Sequence, residues 1–293
     1  MKRLSVFVLL TLLLTGCSIH PAVQKEVQVE AGEALSTEVT DYASLPDSIS
    51  SEDVSLYLDD VDINTPGDYD AHVTYNNKDY SFVVHVMDTV APSASRAMDY
   101  IISTPGILHA SDYVTDISDA TKTTVGFVGE PQKRADLSVM NTEEIEADAA
   151  SDETTVLFSE NSGESETSEL SADFTFEDEG IYDGQIAVQD AGNNRMVFDF
   201  TFYIDGTPPV IADFEDGEME LSESDDGIYE LNIKMTITDN FDGDITNTEQ
   251  VVSNIEEYDD YVDASVTATD RAGNEVSKQA KLTFPDGFWD KVY

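Results

Sequence analysis

The stretch GIYDGQIAVQDAGNNRMVFDFTFYI, residues 180–204, decides the fold. Its second half places an apolar side chain at every other position from Met196 to Ile204. A two-residue period gives an extended strand one apolar and one polar face, whereas a helix repeats about every 3.6 residues. Between the two halves lies the cluster 190–193, whose Gly and Asn tolerate the positive φ of a tight turn. The stretch therefore predicts an antiparallel β-hairpin with one buried face.

The same pattern recurs on both sides of this stretch. An alternating strand at 67–75 runs into a turn cluster at 76–79, and a second alternating strand follows at 80–86. Another alternating strand at 260–268 runs into the cluster 270–274, and residues 229–237 alternate upstream of it. Nothing after the first seventeen residues shows a sustained helical period. Repetition of this kind predicts an all-β chain of tandem modules.

Proline-bearing segments at 88–92 and 205–209 separate the three copies. Proline cannot donate to a strand ladder, so it ends one module and stiffens the link to the next. Residues 141–171 are rich in Glu, Ser, Thr and Asp, which predicts an exposed acidic insertion with one strand at 154–159. The expected divisions are a linker at 17–24, module 1 at 25–89, module 2 at 90–206, module 3 at 207–286 and a tail at 287–293.

The N-terminus predicts export and a lipid anchor. Lys2 and Arg3 precede an apolar run, residues 4–14, that is shorter than the about 20 residues a bilayer-spanning helix needs. Residues 1–16 therefore have the features of a cleaved signal peptide. The sequence Leu-Thr-Gly-Cys that ends at Cys17 resembles the bacterial lipobox. That resemblance implies a lipid on the Cys17 thiol and a location on the extracytoplasmic face of the bacterial cell membrane.

Composition restricts the partners. Lys and Arg number 14 against 61 Asp and Glu, a net charge of −47 at pH 7. Such a chain repels nucleic acid and attracts divalent cations. Cys17 is the only cysteine, so no disulfide can form within the chain and each module must be stabilised by its core.

Three segments of module 3 resemble bacterial Ig-like domains of surface proteins, a group related to hyalin repeats, to a domain of pesticidal crystal toxins and to cadherin-like sandwiches. The segments are TPPVI at 207–211, DNFDGDIT at 239–246 and DRAGN at 270–274. Module 2 keeps DAGN at 190–193 but lacks the Asp-Gly-Asp box, and module 1 keeps Gly67, Tyr69 and the linker. The resemblance implies tandem Ig-like β-sandwiches.

The same resemblance implies a tyrosine corner in which a hydroxyl fixes the start of the penultimate strand. Tyr69 and Tyr182 occupy the aligned position in modules 1 and 2. Val262 takes that place in module 3, with Tyr261 one residue earlier. A corner is therefore expected in the first two modules.

In an Ig-like module, the loop after the second strand, the last hairpin and the incoming linker lie at one end. This places six oxygen-bearing residues near the junction of modules 2 and 3: Asp205, Asp239, Asp242, Asp244, Asp270 and Asn274. Ca²⁺ takes six to eight oxygen ligands, and cadherin-like repeats use such a position to stiffen an array. We therefore expect a Ca²⁺ site here; the alternative is that these are turn residues that bind no metal.

No motif indicates catalysis. The motifs Gly-x-Ser-x-Gly and Gly-x-x-x-x-Gly-Lys are absent. None of the four histidines has a partner at metal-binding spacing; they are His20, His72, His85 and His109. We predict a non-catalytic spacer or adhesive protein with an extracellular protein or glycan partner. Two alternatives stay open: an accessory module for glycan or peptide binding through Trp289, serving a transporter or wall enzyme, or the non-catalytic N-terminal part of a larger hydrolase or transglutaminase-like protein.

Overall fold

The computed structural model describes residues 20–149, 154–157, 169–223, 229–248, 251–257 and 260–292. Cys17 and the predicted signal peptide lie outside these residues, so the lipid anchor stays a prediction. In the described ranges, neither α-helix has the length and apolar character that crossing a bilayer requires.

Module 1 is a small sandwich. Its main sheet has the order β2-β6-β5-β4, with β2 parallel to β6, and β1 pairs with β3. Two 3-10 turns lie in the connections, at Val39–Asp41 and Ser51–Asp53. The strands are β1 Ala22–Val23, β2 Glu26–Glu30, β3 Ala43–Ser44, β4 Val54–Tyr57, β5 Gly67–Tyr75 and β6 Lys78–Met87.

Module 2 has the largest sheet, with the order β13-β17-β16-β11-β14; β12 also pairs with β16, and β8 runs parallel to β17. Two strand pairs, β7 with β10 and β9 with β15, complete it. Its elements are β7 Ser93–Arg96, β8 Ile101–Ser103, β9 Gly106–His109, a 3-10 turn Ala110–Tyr113, β10 Val114–Ser118, β11 Thr124–Val128, β12 Gln132–Ala135, α1 Thr142–Ala149, β13 Thr154–Leu157, β14 Leu170–Ser171, β15 Asp173–Phe176, β16 Gly180–Gln189 and β17 Arg195–Ile204.

Module 3 packs the sheet β19-β26-β25-β24 against the sheet β18-β22-β23, and β20 pairs with β21. A short helix follows the last strand. The elements are β18 Val210–Ala212, β19 Gly217–Glu218, β20 Glu220–Glu223, β21 Tyr229–Asn232, β22 Thr236–Asp239, β23 Gly243–Asp244, β24 Val251–Glu257, β25 Tyr261–Thr269, β26 Glu275–Thr283 and α2 Phe288–Val292.

Each module has its own hydrophobic core. Val73 and Val84 are fully buried in module 1, Phe198 and Phe202 are buried in module 2, and Ile237 is buried in module 3. The buried members of each cluster come from one stretch of chain: residues 31–86, 101–204 and 211–282. The chain is therefore all-β, as the two-residue period predicted, and it forms the tandem Ig-like sandwiches that the resemblance implied.

The hairpins form at the predicted turns. Strand β5 pairs with β6, β16 with β17 and β25 with β26. Asn76 and Asn77, Asn193 and Gly273 take positive φ in these turns. Such values suit Gly and Asn because other side chains would collide with their own backbone.

The tyrosine corners are confirmed in modules 1 and 2. The hydroxyl of Tyr69 donates to the carbonyl of Thr65 over 2.8 Å, and that of Tyr182 donates to the carbonyl of Asp178 over 2.9 Å. In module 3 the ring of Tyr261 lies instead beneath Lys281, with Nζ 3.6 Å from its centroid.

Three expectations differ from the structure. The predicted linker 17–24 contains β1, which pairs with β3 and so is part of module 1. Residues 229–237 form two strands, β21 and β22, which pair with different neighbours. Most residues at the start of the acidic segment are exposed, as predicted, but they form the helix α1, which buries Ile145 and Ala149. This helix packs on the face of β17 that the alternation assigned to water, and Tyr203 on that face is fully buried. The helical period was not recognised in the sequence because α1 has only eight residues, mostly acidic or small, and buries only two of them.

Candidate metal sites at the two module junctions

Three aspartates meet where module 2 joins module 3. Asp205, Asp239 and Asp270, here called the junction-2 triad, each place a carboxylate oxygen within 4.8 Å of the other two. Their exposed fractions are 0, 7 and 4 %. Aspartate is rarely buried without a countercharge, so this cluster requires an explanation.

Asp205 lies in the linker directly after β17. Its backbone amide donates to the carbonyl of Ser103 over 2.9 Å, which holds the linker on module 2. Its Oδ1 accepts from the amide of Thr207 over 3.1 Å. An aspartate that bonds to its own backbone two residues on forms an Asx turn, and this turn aims the linker into module 3.

Asp239 closes β22 with a second Asx turn. Its Oδ1 accepts from the amides of Phe241 and Asp242, over 2.8 and 2.9 Å. Strand β22 ends here because the Asp239 carboxylate, and not a neighbouring strand, accepts the hydrogen bonds of these two backbone amides.

Asp270 is held in the turn between β25 and β26. Its two carboxylate oxygens accept from the backbone and side-chain amides of Asn274, each over 2.8 Å. The same Asn274 Nδ2 also donates to the backbone carbonyl of Asp205 over 2.9 Å. Asn274 therefore ties the last hairpin of module 3 to the linker, which is a positioning contact.

Two oxygens of the triad have no partner among the described residues: Asp205 Oδ2 and Asp239 Oδ2. No Lys, Arg or His in the described part of the chain forms an ion pair with any of the three carboxylates. Burial raises the pKa of Asp205 to about 6. The hydrogen bond from Thr207 opposes this rise, and the negative charges of Asp239 and Asp270 add to it.

Burial also raises the pKa of Asp270, although the hydrogen bonds from Asn274 partly offset it. Two unit charges 4.8 Å apart, the upper limit between the carboxylate oxygens of the triad, repel by about 3 to 4 kcal/mol at an effective dielectric of about 20. The triad is thus built to take positive charge, either a proton or a metal ion. Carboxylate and carbonyl oxygens are the donors that Ca²⁺ and Mg²⁺ prefer.

The other two predicted ligands lie elsewhere in the same loop. Asp242 accepts from the backbone amide of Arg271 over 2.7 Å and forms an ion pair with the Arg271 guanidinium. Asp244 accepts from the amide and hydroxyl of Thr246, and these bonds lower its pKa. Both carboxylates are therefore engaged with neighbouring donors.

A second triad, which the sequence interpretation missed, lies where module 1 joins module 2. Asp88, Asp119 and Asp190, the junction-1 triad, are also within 4.8 Å of one another. Burial raises the pKa of both Asp88 and Asp190. The recurrence of Asp before each proline-bearing linker was the available signal.

The two triads share one pattern of bonds. Asn194 binds both carboxylate oxygens of Asp190, over 2.8 and 2.9 Å, as Asn274 binds Asp270. Asn194 Nδ2 also donates to the carbonyl of Asp88 over 3.0 Å. The aligned linkers and hairpin turns therefore bring equivalent acids together at both junctions.

The junctions differ at one position. The hydroxyl of Thr121 lies 2.7 Å from Asp88 Oδ2 and 2.8 Å from Asp119 Oδ1, and it accepts from the amide of Ala191 over 3.2 Å. Thr121 thus gives the junction-1 triad an internal hydrogen-bond partner. The side chain of Phe241 stands at the equivalent place of junction 2 and offers no hydrogen bond, which leaves the junction-2 triad with the greater need for a cation.

Trp289, the candidate for glycan binding, lies on α2. Its ring packs on Phe284 and Phe288, with centroids 5.0 and 4.9 Å away, and 40 % of the residue is exposed. Two of the four histidines pair with acids, His85 with Asp68 over 2.6 Å and His109 with Asp173 over 2.7 Å.

Comparisons with known proteins give no family. No protein-family model and no curated protein matches the chain. The human desmocollin-1 ectodomain aligns at 11% identity and a TM-score of 0.25, over 75% of this chain and 48% of that one. Mouse cadherin-23 EC22-24 aligns at 9% identity and a TM-score of 0.25, over 92% and 99%.

A Clostridium perfringens ZmpB structure, containing the M60 catalytic domain with two CBM51 domains, aligns at 14% identity and a TM-score of 0.20, over 91% of this chain and 31% of that one. This chain spans about half of the desmocollin-1 chain. Scores at this level assign the chain to no family, and the sites are interpreted from their own geometry.

Proposed function

We propose that the chain is a non-catalytic spacer on the extracytoplasmic face of a bacterial cell membrane, and that a divalent cation stiffens its second junction. The observation that carries the proposal is the burial of Asp205, a linker residue, against two acids of module 3. A cation at this point would bind the linker, the loop after β22 and the last hairpin at once. Such a site would restrict the angle between the two modules.

Ca²⁺ suits the triad because it accepts carboxylates, carbonyls and water in a flexible geometry. Two of the triad's oxygens, Asp205 Oδ2 and Asp239 Oδ2, are unpartnered and buried, so they can coordinate an ion without losing an existing bond. Mg²⁺ keeps more of its water and demands an octahedral arrangement. We therefore propose Ca²⁺ as the preferred ion.

The membrane attachment is the second part of this proposal. A diacylglyceryl group on Cys17 would supply two acyl chains, and each buried methylene contributes about 0.8 kcal/mol. The partner that the array presents loops to would be an extracellular protein or a glycan. The strongly acidic surface disfavours nucleic acid and anionic lipid.

Small-angle scattering on the chain from Ser18 tests the spacer. With Ca²⁺ at pH 7.5 we expect an elongated particle with a narrower distribution of dimensions than in EDTA, and a higher melting midpoint. Identical scattering and identical midpoints in Ca²⁺, Mg²⁺ and EDTA would reject the stiffening role. A compact particle in all three would reject the spacer.

Fractionation of cells tests the anchor separately. The wild-type chain should sediment with membranes and incorporate labelled fatty acid, whereas Cys17→Ser should do neither. A Cys17→Ser chain that still sediments with membranes would show that the lipid is not the anchor.

A further inference from the structure

One hydrophobic cluster belongs to two modules. The bridging cluster consists of Ile145 of α1, Ile181 of β16, Tyr203 of β17 and Phe241 of module 3. Ile145, Tyr203 and Phe241 are fully buried in it. Of the four clusters that the described residues form, the other three draw their buried side chains from single modules.

Phe241 is the residue that crosses the junction. Its ring stacks on that of Tyr203, with centroids 5.7 Å apart and planes inclined by 22°. The guanidinium of Arg271 covers it at 4.7 Å from the centroid. A buried phenylalanine held between an aromatic ring and a cation contributes both apolar burial and a cation–π contact.

Backbone contacts hold the segment 137–149, here called the strap, to the same loop of module 3. The amide of Met140 donates to the carbonyl of Phe241 over 2.9 Å. The carbonyl of Met140 accepts from Arg271 Nη2 over 2.7 Å. A Cβ on Gly243 would lie only 2.9 Å from Val139, so the strap approaches this loop closely.

The strap is fixed on module 2 as well. Asn141 and Glu144 form a reciprocal capping box at the start of α1, over 2.8 and 3.0 Å. At the other end, Asp148 Oδ2 accepts from the Tyr203 hydroxyl over 2.6 Å and from Arg134. The helix is therefore ordered by its own cap and by β17.

The first junction has a different character. Its hydrogen bonds join Asp88 to Thr121 and Asn194, and its one close apolar approach among the described glycines is that of Gly32 to Ala120. The buried members of the module 1 and module 2 clusters stay separate. Polar contacts at a module boundary resist bending less than a shared apolar cluster does.

We propose that the strap is a built-in clamp that makes modules 2 and 3 one cooperative unit, whereas module 1 is joined to module 2 without a shared apolar cluster. The clamp acts through Ile145, Tyr203 and Phe241 without a cation, and a cation at the junction-2 triad would further restrict the motion that the clamp leaves between the two modules. It goes beyond the proposed spacer function, since it predicts which joint is rigid. Its tests are run in EDTA. They can therefore reject the clamp without rejecting the cation site, and the Ca²⁺ experiments can reject the cation site without rejecting the clamp.

Urea unfolding of the chain from Ser18 tests the clamp with two probes. Trp289 is the single Trp of the chain and packs on Phe284 and Phe288, so its fluorescence reports module 3. Hydrogen exchange of the β17 amides reports module 2. We expect both probes to share one midpoint, and Ile145→Ala to lower the Trp289 midpoint by about 1 M urea although Ile145 lies in module 2.

Val73→Ala is the matched control, because Val73 is fully buried in the core of module 1. It should leave the Trp289 midpoint unchanged while destabilising module 1. Separate wild-type midpoints for the two probes, or a Trp289 midpoint that Ile145→Ala leaves in place, would overturn the clamp.

Proteolysis examines the clamp from the other module, in case Ile145→Ala fails to fold. The strap contains three cleavage sites for a glutamate-specific protease: Glu143, Glu144 and Glu146. Phe241→Ala should speed cleavage there at least about tenfold, since undocking lets α1 unfold locally and a protease needs an extended substrate. Phe214→Ala, in module 3's own core, is the control and should have a smaller effect on these sites. Equal cleavage rates in wild type and Phe241→Ala would refute the clamp.

Discussion

Thr121 and Phe241 occupy equivalent positions at the two junctions. Each follows by two residues an aspartate, Asp119 or Asp239, whose side chain accepts from its backbone amide in an Asx turn. The Thr121 hydroxyl joins the carboxylates of Asp88 and Asp119, whereas the Phe241 ring packs into the cluster shared by modules 2 and 3. One side chain thus supplies polarity to an acidic triad, and the other supplies apolar contact between modules. The two junctions share a backbone plan and differ in what stabilises them.

Asp239→Asn should abolish the stabilisation by Ca²⁺. Ligand at about 100 times its dissociation constant adds about 2.7 kcal/mol to the free energy of unfolding, and loss of one buried carboxylate weakens the site. Calorimetric melting in Ca²⁺ and EDTA measures the difference. Asp244→Asn, in the same loop but bonded to Thr246, is the matched control and should keep the Ca²⁺ effect. A Ca²⁺ response retained in Asp239→Asn would exclude Asp239 as a ligand.

Without metal, the triad should destabilise the folded chain as pH rises. Because burial raises the pKa of Asp205 to about 6 from 3.8, the folded state binds the extra proton between these values. Stability from this group is therefore highest below about pH 4 and falls by about 3 kcal/mol as pH passes 6. Urea unfolding of wild type and Asp205→Asn from pH 4 to 7, without metal, isolates the effect. Parallel pH profiles for the two chains would contradict it.

Cation binding should show the opposite trend. A proton on Asp205 competes with the metal, so affinity for Ca²⁺ should increase between about pH 5 and 7. Titration calorimetry at several pH values, in buffers of different ionisation enthalpy, would count the protons released. Binding that is independent of pH across this window would place the metal elsewhere.

Asn274→Ala should loosen the second junction. The substitution removes the bonds to Asp270 and to the Asp205 carbonyl, and buried acceptors left without a donor cost about 1 to 3 kcal/mol. Thermal unfolding of module 3, followed by Trp289 fluorescence, measures this loss. Asn232→Ala in the same module removes only an exposed bond to Ser222 and should change stability by about 0.5 kcal/mol or less. Equal effects of the two substitutions would argue against a special role for Asn274.

Thr121→Val should destabilise the first junction while preserving its shape. The isosteric change removes the hydroxyl that joins Asp88 and Asp119, at an expected cost of about 1 to 3 kcal/mol. Hydrogen exchange of modules 1 and 2 reports the change. Thr124→Val, whose exposed hydroxyl makes only a 3.5 Å contact with Gln189, should be nearly neutral. If both variants behave alike, the Thr121 hydroxyl does not stabilise the junction.

Strand pairing was predictable because the pattern is local. Alternation in the hairpin strands assigned Ala71, Phe82 and Phe198 to buried faces, and they are buried. Residues 229–237 alternate equally well, yet they divide into β21 and β22. Periodicity indicates which side chains face inward, but the partner of each strand depends on contacts between distant parts of the chain.

The junction-2 acids show the same limit. The expected geometry of an Ig-like module places six residues at one end of the sandwich, and the structure brings the carboxylates of three of them, Asp205, Asp239 and Asp270, within 4.8 Å of one another. Asp242 turns to Arg271, which no spacing rule foresaw. The junction-1 triad was missed because module 2 lacks the Asp-Gly-Asp box, although its Asp119 lies in the equivalent place.

By themselves, the residues determined the all-β class, the hairpins and the turns with positive φ, since these follow from side-chain alternation and local backbone sterics. Tertiary structure alone decided which acids share a buried site and which face of β17 is covered by the strap. Ile145, Tyr203 and Phe241 are far apart in the chain, and their contact forms only when two folded modules meet. Burial of that kind depends on three-dimensional packing, which a short-range pattern does not encode.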